Sequence, residues 1–300
     1  WLFVFWGTWE MESCEQTPAL SVRGFFSELF SMRENRSFRL HMGMYIASYA
    51  AMDVLMALFI YYLTYYIGNE KLFASCVGAM LMAQVSMLPV YVFISNKKGK
   101  GFAYITGLVI WAFGLALTAT FTPHTPQHLI IAVTALMGIG LSAGTMVPWA
   151  ILPSVTDVDE MITGKKRAGS YAGAMTFIRK IVNAFTIFLI GILLDLIGYK
   201  KPVIEIIDGV SRSINQPQSD TTLFYLRILF FAAPLALIIA GIFIARRFNI
   251  TPQTHAILIA EIERLQSGGS KKDVDPRTRN VCEELTGKPY EHLMHTRGES

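Results

Sequence analysis

The chain has 300 residues, of which 53% are hydrophobic and 16% are charged, and its formal net charge is +4. An average soluble domain is about 25% charged. The charges here also stand in clusters between long apolar stretches, which excludes an ordinary soluble domain and is typical of a polytopic membrane protein. The three cysteines are far apart and show no C-x-x-C spacing, so the sequence predicts neither a disulfide framework nor a zinc site.

The N-terminal residues 1–8 are apolar, too short to cross a membrane, and lack the basic start of a signal peptide. We interpret them as the end of a preceding transmembrane helix, so we expect the chain to be the later portion of a longer protein. Residues 9–39 are predicted to form a cytoplasmic central loop with an interfacial helix. Phe25, Leu29 and Met32 recur there at helical spacing, ahead of a cluster of arginines.

Six apolar segments follow, and each approaches or exceeds the roughly 20 residues needed to span a bilayer. We place them at residues 40–67, 72–94, 102–121, 128–152, 168–197 and 223–245. The sequence therefore predicts an all-α membrane protein with a six-helix transmembrane domain over residues 40–247.

Lys and Arg are distributed unevenly between the loops. They cluster before the first span and after the second, fourth and sixth spans, whereas the other loops carry few of them. By the positive-inside rule these clusters face the cytoplasm. We therefore expect a multi-pass protein of the cell membrane (the inner membrane in a bacterium), with residues 248–300 as a cytoplasmic tail. In that tail, Leu258, Ile262 and Leu265 predict a helix that packs on the membrane domain or the bilayer surface.

The fifth span carries two adjacent cations near its middle, Arg179 and Lys180. A lysine at the centre of a span costs about 2.5 to 3.5 kcal/mol on insertion scales, so such residues suggest function. We predict that Lys180 lines a polar cavity and binds substrate. Thr176 and Asn183 lie on its helical face and are expected to contact the same ligand; the other interpretation is that they link neighbouring helices.

Asp53 is the only carboxylate deep within a span. An unpaired buried carboxylate would take up a proton or find a cation. Its partner is Arg179, Lys180 or a coupling ion, and we favour Arg179 because that pair would leave Lys180 free for substrate.

Between the fourth and fifth spans, an acidic turn with Asp157, Asp159 and Glu160 precedes the basic residues Lys166 and Arg167. We expect either a solvated charged loop or a cytoplasmic gate whose ion pairs form in one conformation and break in another.

The sequence shows no chemistry typical of an enzyme. Its six histidines are scattered without metal-ligand spacing, and there is no nucleophile–base set, so no catalytic residue or metal site is predicted. The letters Gly138-x-Gly140-x-x-Ala143 match a dinucleotide fingerprint, but they lie inside an apolar span without a preceding strand. We interpret Gly140 and Gly144 instead as small residues that allow a close helix contact.

An ordered set of motifs resembles one family closely. It comprises Pro148-Trp149, Leu152-Pro153, Asp157-x-x-Glu160, Gly164-x-x-Arg167 and Phe177-x-x-Lys180. The set resembles the glycoside–pentoside–hexuronide:cation symporters of the major facilitator superfamily, the melibiose permease-like group. The resemblance covers the chain as the C-terminal half of that fold.

The resemblance implies uptake of a sugar or glycoside, coupled to Na⁺ or H⁺, by alternating access. Lys180 and Thr176 then match sugar-site positions. Thr145 stands where a substrate-stacking Trp is found, and Trp149 follows one turn later. Asp157, Glu160 and Lys166 match the cytoplasmic gate.

The family's cation carboxylates lie in the first half, so the cation site is expected mainly in an N-terminal six-helix half. Besides the coupling cation, no cofactor is expected. The expected partners are the sugar, the lipid bilayer and that N-terminal half, and no nucleic acid. Two alternatives stay open: a carrier of lysolipids, and a truncated or structural half-module that does not transport.

Overall fold

The computed structural model describes residues 22–207 and 210–294. The predicted end of a preceding helix (residues 1–8) and the first part of the central loop lie outside the described residues. A short helix, α1 (Val22–Met32), opens the described chain.

The membrane domain consists of six long helices, all long and apolar enough to cross a membrane. They are α2 (Arg36–Tyr61, continued by a π-helical turn over Tyr62–Ile67), α3 (Leu72–Lys98), α4 (Lys100–Thr118), α5 (Gln127–Thr163), α6 (Ala168–Leu196) and α7 (Asp220–Ala245). The all-α, six-span prediction is confirmed. The first span begins earlier than its apolar run, because Asn35 caps α2 by accepting a hydrogen bond from the backbone N–H of Phe38.

One predicted boundary is wrong. The fourth span was placed at residues 128–152 with a charged loop after it, but α5 runs on as a helix to Thr163. Its 37 residues make a rod of about 55 Å at 1.5 Å per residue, well beyond the roughly 30 Å of a hydrocarbon core. The acidic residues are therefore held on a helix that extends past the membrane, and the connection to α6 is only residues 164–167.

A β-hairpin that we did not predict lies between α6 and α7. Strand β1 (Val203–Ile207) pairs antiparallel with β2 (Val210–Ile214), with Val203 opposite Ile214. A signal for it is present in the sequence, since two runs rich in Val and Ile flank Asp208-Gly209, a dipeptide typical of hairpin turns. Sequence reasoning predicts the segment only as a loop between the fifth and sixth spans.

The six helices divide in sequence into two triplets, α2–α4 and α5–α7, and the first helix of each triplet packs against the other two helices of the opposite triplet. Helix α5 packs against α4 and α3, and in the same way α2 packs against α7 and α6. These pairings are the ones that an inverted repeat of three helices produces. The predicted small-residue contact lies at the α4–α5 crossing. A Cβ added to Gly140 would lie 2.5 Å from the carbonyl oxygen of Gly107 and 2.6 Å from Cβ of Trp111.

The tail folds back onto the membrane domain as α8 (Pro252–Gln266) and α9 (Pro276–Thr286). Thr251 caps α8 and forms a capping box with Thr254. The predicted stripe of Leu258, Ile262 and Leu265 is buried, and both tail helices pack against α5. The helix α9 was not predicted, although Asp275-Pro276 provides an N-cap followed by a proline at the first helical position.

Candidate functional site

An ion pair joins α2 to α6 at mid-span. The guanidinium of Arg179 donates to both carboxylate oxygens of Asp53, at 2.5 and 2.7 Å. The Asp53 side chain is 10% exposed and that of Arg179 is 21% exposed. Among the partners that the sequence left open, the structure places Arg179 against Asp53.

Aromatic side chains surround this pair. The guanidinium carbon of Arg179 lies 4.9 Å from the ring centre of Tyr49, a cation–π distance. The Tyr49 hydroxyl accepts a hydrogen bond from the indole N–H of Trp149 (3.0 Å) and donates to the backbone oxygen of Thr145 (3.2 Å). Tyr49 therefore connects the α2–α6 ion pair to α5. It was not among the predicted site residues.

The side chain of Thr145 is tied to α3 as well. Its hydroxyl accepts a hydrogen bond from the amide N–H of Gln84 (3.0 Å), and the hydroxyl of Ser142 donates to the Gln84 backbone oxygen (2.8 Å). Sequence analysis missed Gln84, and its signal was an amide side chain near the centre of an apolar span. Four helices, α2, α3, α5 and α6, thus share one polar cluster.

Lys180 stands apart from this cluster. Its side chain is exposed on α6, and within residues 22–207 and 210–294 it makes no hydrogen bond or ion pair. Thr176 is exposed too, and its hydroxyl donates to its own helix at the Ala172 carbonyl oxygen (2.9 Å). Asn183 is partly buried. In the described part of the chain, no hydrogen bond links these three residues to Thr145 or Trp149.

The indole of Trp149 is 42% exposed, and it is held by Tyr49 on one side and packs edge-on against Tyr45 at 5.9 Å between ring centres. A fixed, open aromatic face of this kind suits the apolar side of a sugar ring. A separate cavity of about 520 Å³ lies at the C-terminal ends of α2 and α6, and its lining includes Tyr65 and Tyr199. The predicted substrate residues are not part of its lining.

The predicted gate residues form one buried ion pair at the end of α5. Arg167 donates to both carboxylate oxygens of Asp159, at 2.8 and 2.6 Å, and this hydrogen bonding raises the pKa of Arg167. Asp159 is 1% exposed and Glu160 is 5% exposed, so the solvated-loop interpretation is wrong for both. Sequence analysis saw the charges but not the partners that allow their burial. Lys166 stays at the surface, 3.9 Å from Glu160.

The tail supplies the remaining partners of this acidic segment. The amide of Gln266 donates to Glu160 at 2.9 Å, and the imidazole of His255 contacts Asp157 at 2.8 Å. The C-terminal helices are therefore bound to the same end of α5 as the predicted gate.

Within the tail, a buried carboxylate links α8 to the segment that follows α9. Glu261 on α8 accepts hydrogen bonds from Arg264 and from the hydroxyl of Tyr290. Burial alone would raise the pKa of Glu261, but the two donors outweigh it and the pKa is lowered. Its charged form thus stabilises the docked tail above its unfolded pKa, and that stabilisation is lost as pH falls through the lowered folded value.

Within the described ranges, no group of three or more His, Cys, Asp or Glu side chains is arranged to hold a metal ion. The repeated three-helix unit and its mid-span charges define a multi-pass membrane protein of the secondary-transporter type. A family model described as "MFS/sugar transport protein" matches residues 1–252. The chain belongs to this family, and the relatives that it matches are named as transport proteins, such as symporters and importers, rather than as enzymes.

Curated relatives agree with the family and with the predicted resemblance to cation symporters. A "Putative sulfoquinovose importer" of Salmonella typhimurium is 31% identical over 228 residues, which cover 75% of this chain and 45% of the relative. An uncharacterized symporter of Synechocystis is 24% identical over 77% of this chain and 41% of its own length. A sphingosine-1-phosphate transporter of Xenopus tropicalis is 24% identical over 68% of this chain and 37% of its own length. The chain thus spans less than half the length of these relatives.

Proposed function

We propose that this chain, assembled with an N-terminal six-helix half, takes up a sugar or glycoside together with Na⁺ or H⁺ by alternating access. The observation that carries the proposal is the pairing of Asp53 with Arg179. This pair neutralises the mid-span carboxylate and leaves the ammonium of Lys180 exposed and without a partner in the described part. A cation at that depth is costly unless it faces a polar cavity or a charged ligand.

The free ammonium favours a sugar that carries an acidic group. Lys180 would bind the anionic group, Thr176 and Asn183 would bind hydroxyls, and the exposed indole of Trp149 would pack against the ring. Thr145 would act through its bonds to Tyr49 and Gln84 rather than by stacking. The relatives that are named as sulfoquinovose importers support this class, since sulfoquinovose is a sulfonated sugar.

The buried pair between Asp159 and Arg167 would form the cytoplasmic gate. It bridges the end of α5 and the short connection to α6. The neighbouring Glu160 accepts a hydrogen bond from Gln266 of the tail. Opening toward the cytoplasm would break the Asp159–Arg167 pair and expose both charges to water, where the cost of separating them is small.

The proposal is tested by replacing Lys180 with Ala in the assembled transporter and measuring uptake of labelled sulfoquinovose. Loss of a hydrogen bond to a charged group corresponds to about 1.5 to 3 kcal/mol, so uptake at low substrate concentration should fall roughly 10- to 100-fold. Lys180→Arg should restore it only in part, because a planar guanidinium replaces a compact ammonium.

The matched control is Lys98→Ala, which removes an exposed lysine at the end of α3. Uptake by this variant should equal that of the unmodified protein. Normal uptake by Lys180→Ala would show that Lys180 is not at the substrate site. If the protein transports a lysolipid and not the sugar, and this transport depends on Lys180, then the ligand of Lys180 is a lipid phosphate and not a sugar acid. Dissipation of the Na⁺ or H⁺ gradient identifies the coupling ion.

A further inference from the structure

A second polar cavity, of about 280 Å³, lies where α3 ends and α4 and α8 begin. We refer to it as the α4–α8 cavity. Its polar lining includes Ser95, Asn96, Lys100, Ser154 and His255. It shares no residue with the Asp53–Arg179 cluster, and the proposed transport mechanism leaves it unused.

Several hydrogen-bond donors in this lining have no acceptor. The hydroxyl of Ser95 is buried, with 6% of the residue exposed, and has no hydrogen-bond partner in the described structure. The ammonium of Lys100 donates to the Ser154 hydroxyl oxygen at 2.8 Å. Ser154 accepts that bond, and its own hydrogen has no acceptor within the described ranges. A buried donor left without a partner is unfavourable and indicates a missing ligand or water.

Two helices point their N-terminal ends at the cavity. Lys100 is the first residue of α4, which has no side-chain cap, and Pro252 is the first residue of α8. The two termini are adjacent, since a Cβ added to Gly99 would lie 3.5 Å from Cδ of Pro252. Both helix N-termini carry partial positive charge, and the α4 terminus also presents uncapped N–H groups, whereas α8 is capped by Thr251; together these favour an anion.

The side chains that line the cavity also contribute positive charge. Lys100 is its cationic side chain, and no carboxylate is part of the lining within the described residues. The nearby carboxylate of Asp157 is already in contact with His255 at 2.8 Å. The cavity thus combines a cation, free hydroxyl donors and two helix N-termini.

We propose that the α4–α8 cavity binds a phosphate group. A phosphate presents several strong acceptor oxygens in a tetrahedral arrangement, so it can accept hydrogen bonds from donors that come from different helices, and a lysine commonly binds it as a point charge. The cavity lies beside the docked tail at the ends of the spans, where a phosphate can come from an anionic lipid headgroup or from soluble phosphate.

The test measures the thermal unfolding midpoint of the protein in lipid nanodiscs. One arm titrates inorganic phosphate into nanodiscs of zwitterionic phosphatidylcholine, and the other incorporates phosphatidylglycerol without added phosphate. A ligand that binds only the folded state raises the midpoint in a saturable way. Loss of the Lys100 ammonium in Lys100→Gln should weaken the apparent affinity roughly 10- to 100-fold.

Lys98→Gln is the matched control, because it removes one exposed positive charge two residues away and outside the cavity lining. It should respond like the unmodified protein. Ser95→Ala provides a second variant if Lys100→Gln fails to fold. It removes the unpartnered hydroxyl, so it should unfold at the same or a higher temperature without phosphate and still respond less to phosphate. A purely structural role for Ser95 would lower the midpoint in both conditions.

A response in the first arm identifies soluble phosphate, and a response confined to the second identifies a lipid headgroup; either supports the site if Lys100→Gln or Ser95→Ala weakens it. An equal response of all variants, or no response in either arm, would overturn the proposal.

Discussion

Among single residues, the mid-span charges of α2 and α6 show how a membrane protein accommodates ionised groups. Arg179 offers a planar guanidinium that matches both oxygens of Asp53, and the ring of Tyr49 covers the cation. A bidentate pair of this kind is stronger and more specific in geometry than a single contact. It also holds α2 and α6 in register beside the exposed Lys180.

We predict that Asp53→Asn destabilises the protein by about 3 to 5 kcal/mol, because it leaves the charge of Arg179 unpaired in a low-dielectric environment. The double variant Asp53→Asn with Arg179→Gln should recover much of this loss. The measurement is the free energy of unfolding in detergent for the four members of the cycle.

The control for this cycle is the double variant Asp53→Asn with Lys180→Gln. Lys180 is outside the pair, so this combination should recover nothing. Equal recovery by both combinations would mean that the ion pair is not the source of the stability change.

At the level of helix packing, the α4–α5 crossing depends on glycines. Gly140 faces Gly107 and Trp111 so closely that their backbones nearly touch. Small residues permit this approach in membranes, where van der Waals packing rather than hydrophobic burial drives helix association.

We expect Gly140→Ala to destabilise the protein by about 1 to 3 kcal/mol, since the added methyl group forces the two backbones apart. Gly191→Ala in α6 is the control, because its added methyl group meets nothing within 4 Å. That change should be neutral or slightly stabilising through helix propensity. Thermal unfolding of the two variants checks the difference, and equal midpoints would contradict the close contact.

The tail is the other element-level feature that the structure adds. Its helices α8 and α9 cover the end of α5 and supply partners to the acidic segment, through Gln266 to Glu160 and through His255 to Asp157. A charged segment for which the sequence left open a solvated loop or a gate is thereby built into a folded interface.

In the whole molecule, the packing determines which helix ends lie on the same face of the six-helix domain. The start of α2 contacts α9, the end of α5 contacts α8, and the start of α4 lies beside Pro252. The tail therefore marks one face of the six-helix unit. The clusters of Lys and Arg are found on this face, and by the positive-inside rule we predict that it faces the cytoplasm.

This orientation predicts the accessibility of two engineered cysteines. His124→Cys, in the exposed loop between α4 and α5, should react with a membrane-impermeant thiol reagent added to intact cells. Lys97→Cys, exposed at the end of α3, should react only after permeabilisation. The unmodified chain gives the background of its native cysteines, two of which, Cys76 and Cys282, are buried. The opposite pattern would reverse the assignment.

The amino-acid sequence by itself determined the six spans, the tail helix over Leu258 and Leu265, and the side on which basic residues collect. These features depend on local properties: the length of an apolar run, helical periodicity, and the charge of a short loop. It also showed that Asp53 needed a cation, because desolvation of a carboxylate is costly wherever it occurs.

Only the tertiary structure decided which groups meet. Asp53 and Arg179 are 126 positions apart, and Tyr49 and Gln84 carried no signal of their roles beyond being polar within apolar spans. The helical continuation of α5 was likewise decided by tertiary contacts. Burial of Asp159 and Glu160 is favourable only when Arg167 and Gln266 are folded against them, and Gln266, 106 positions from Glu160, cannot be identified as a partner from local periodicity.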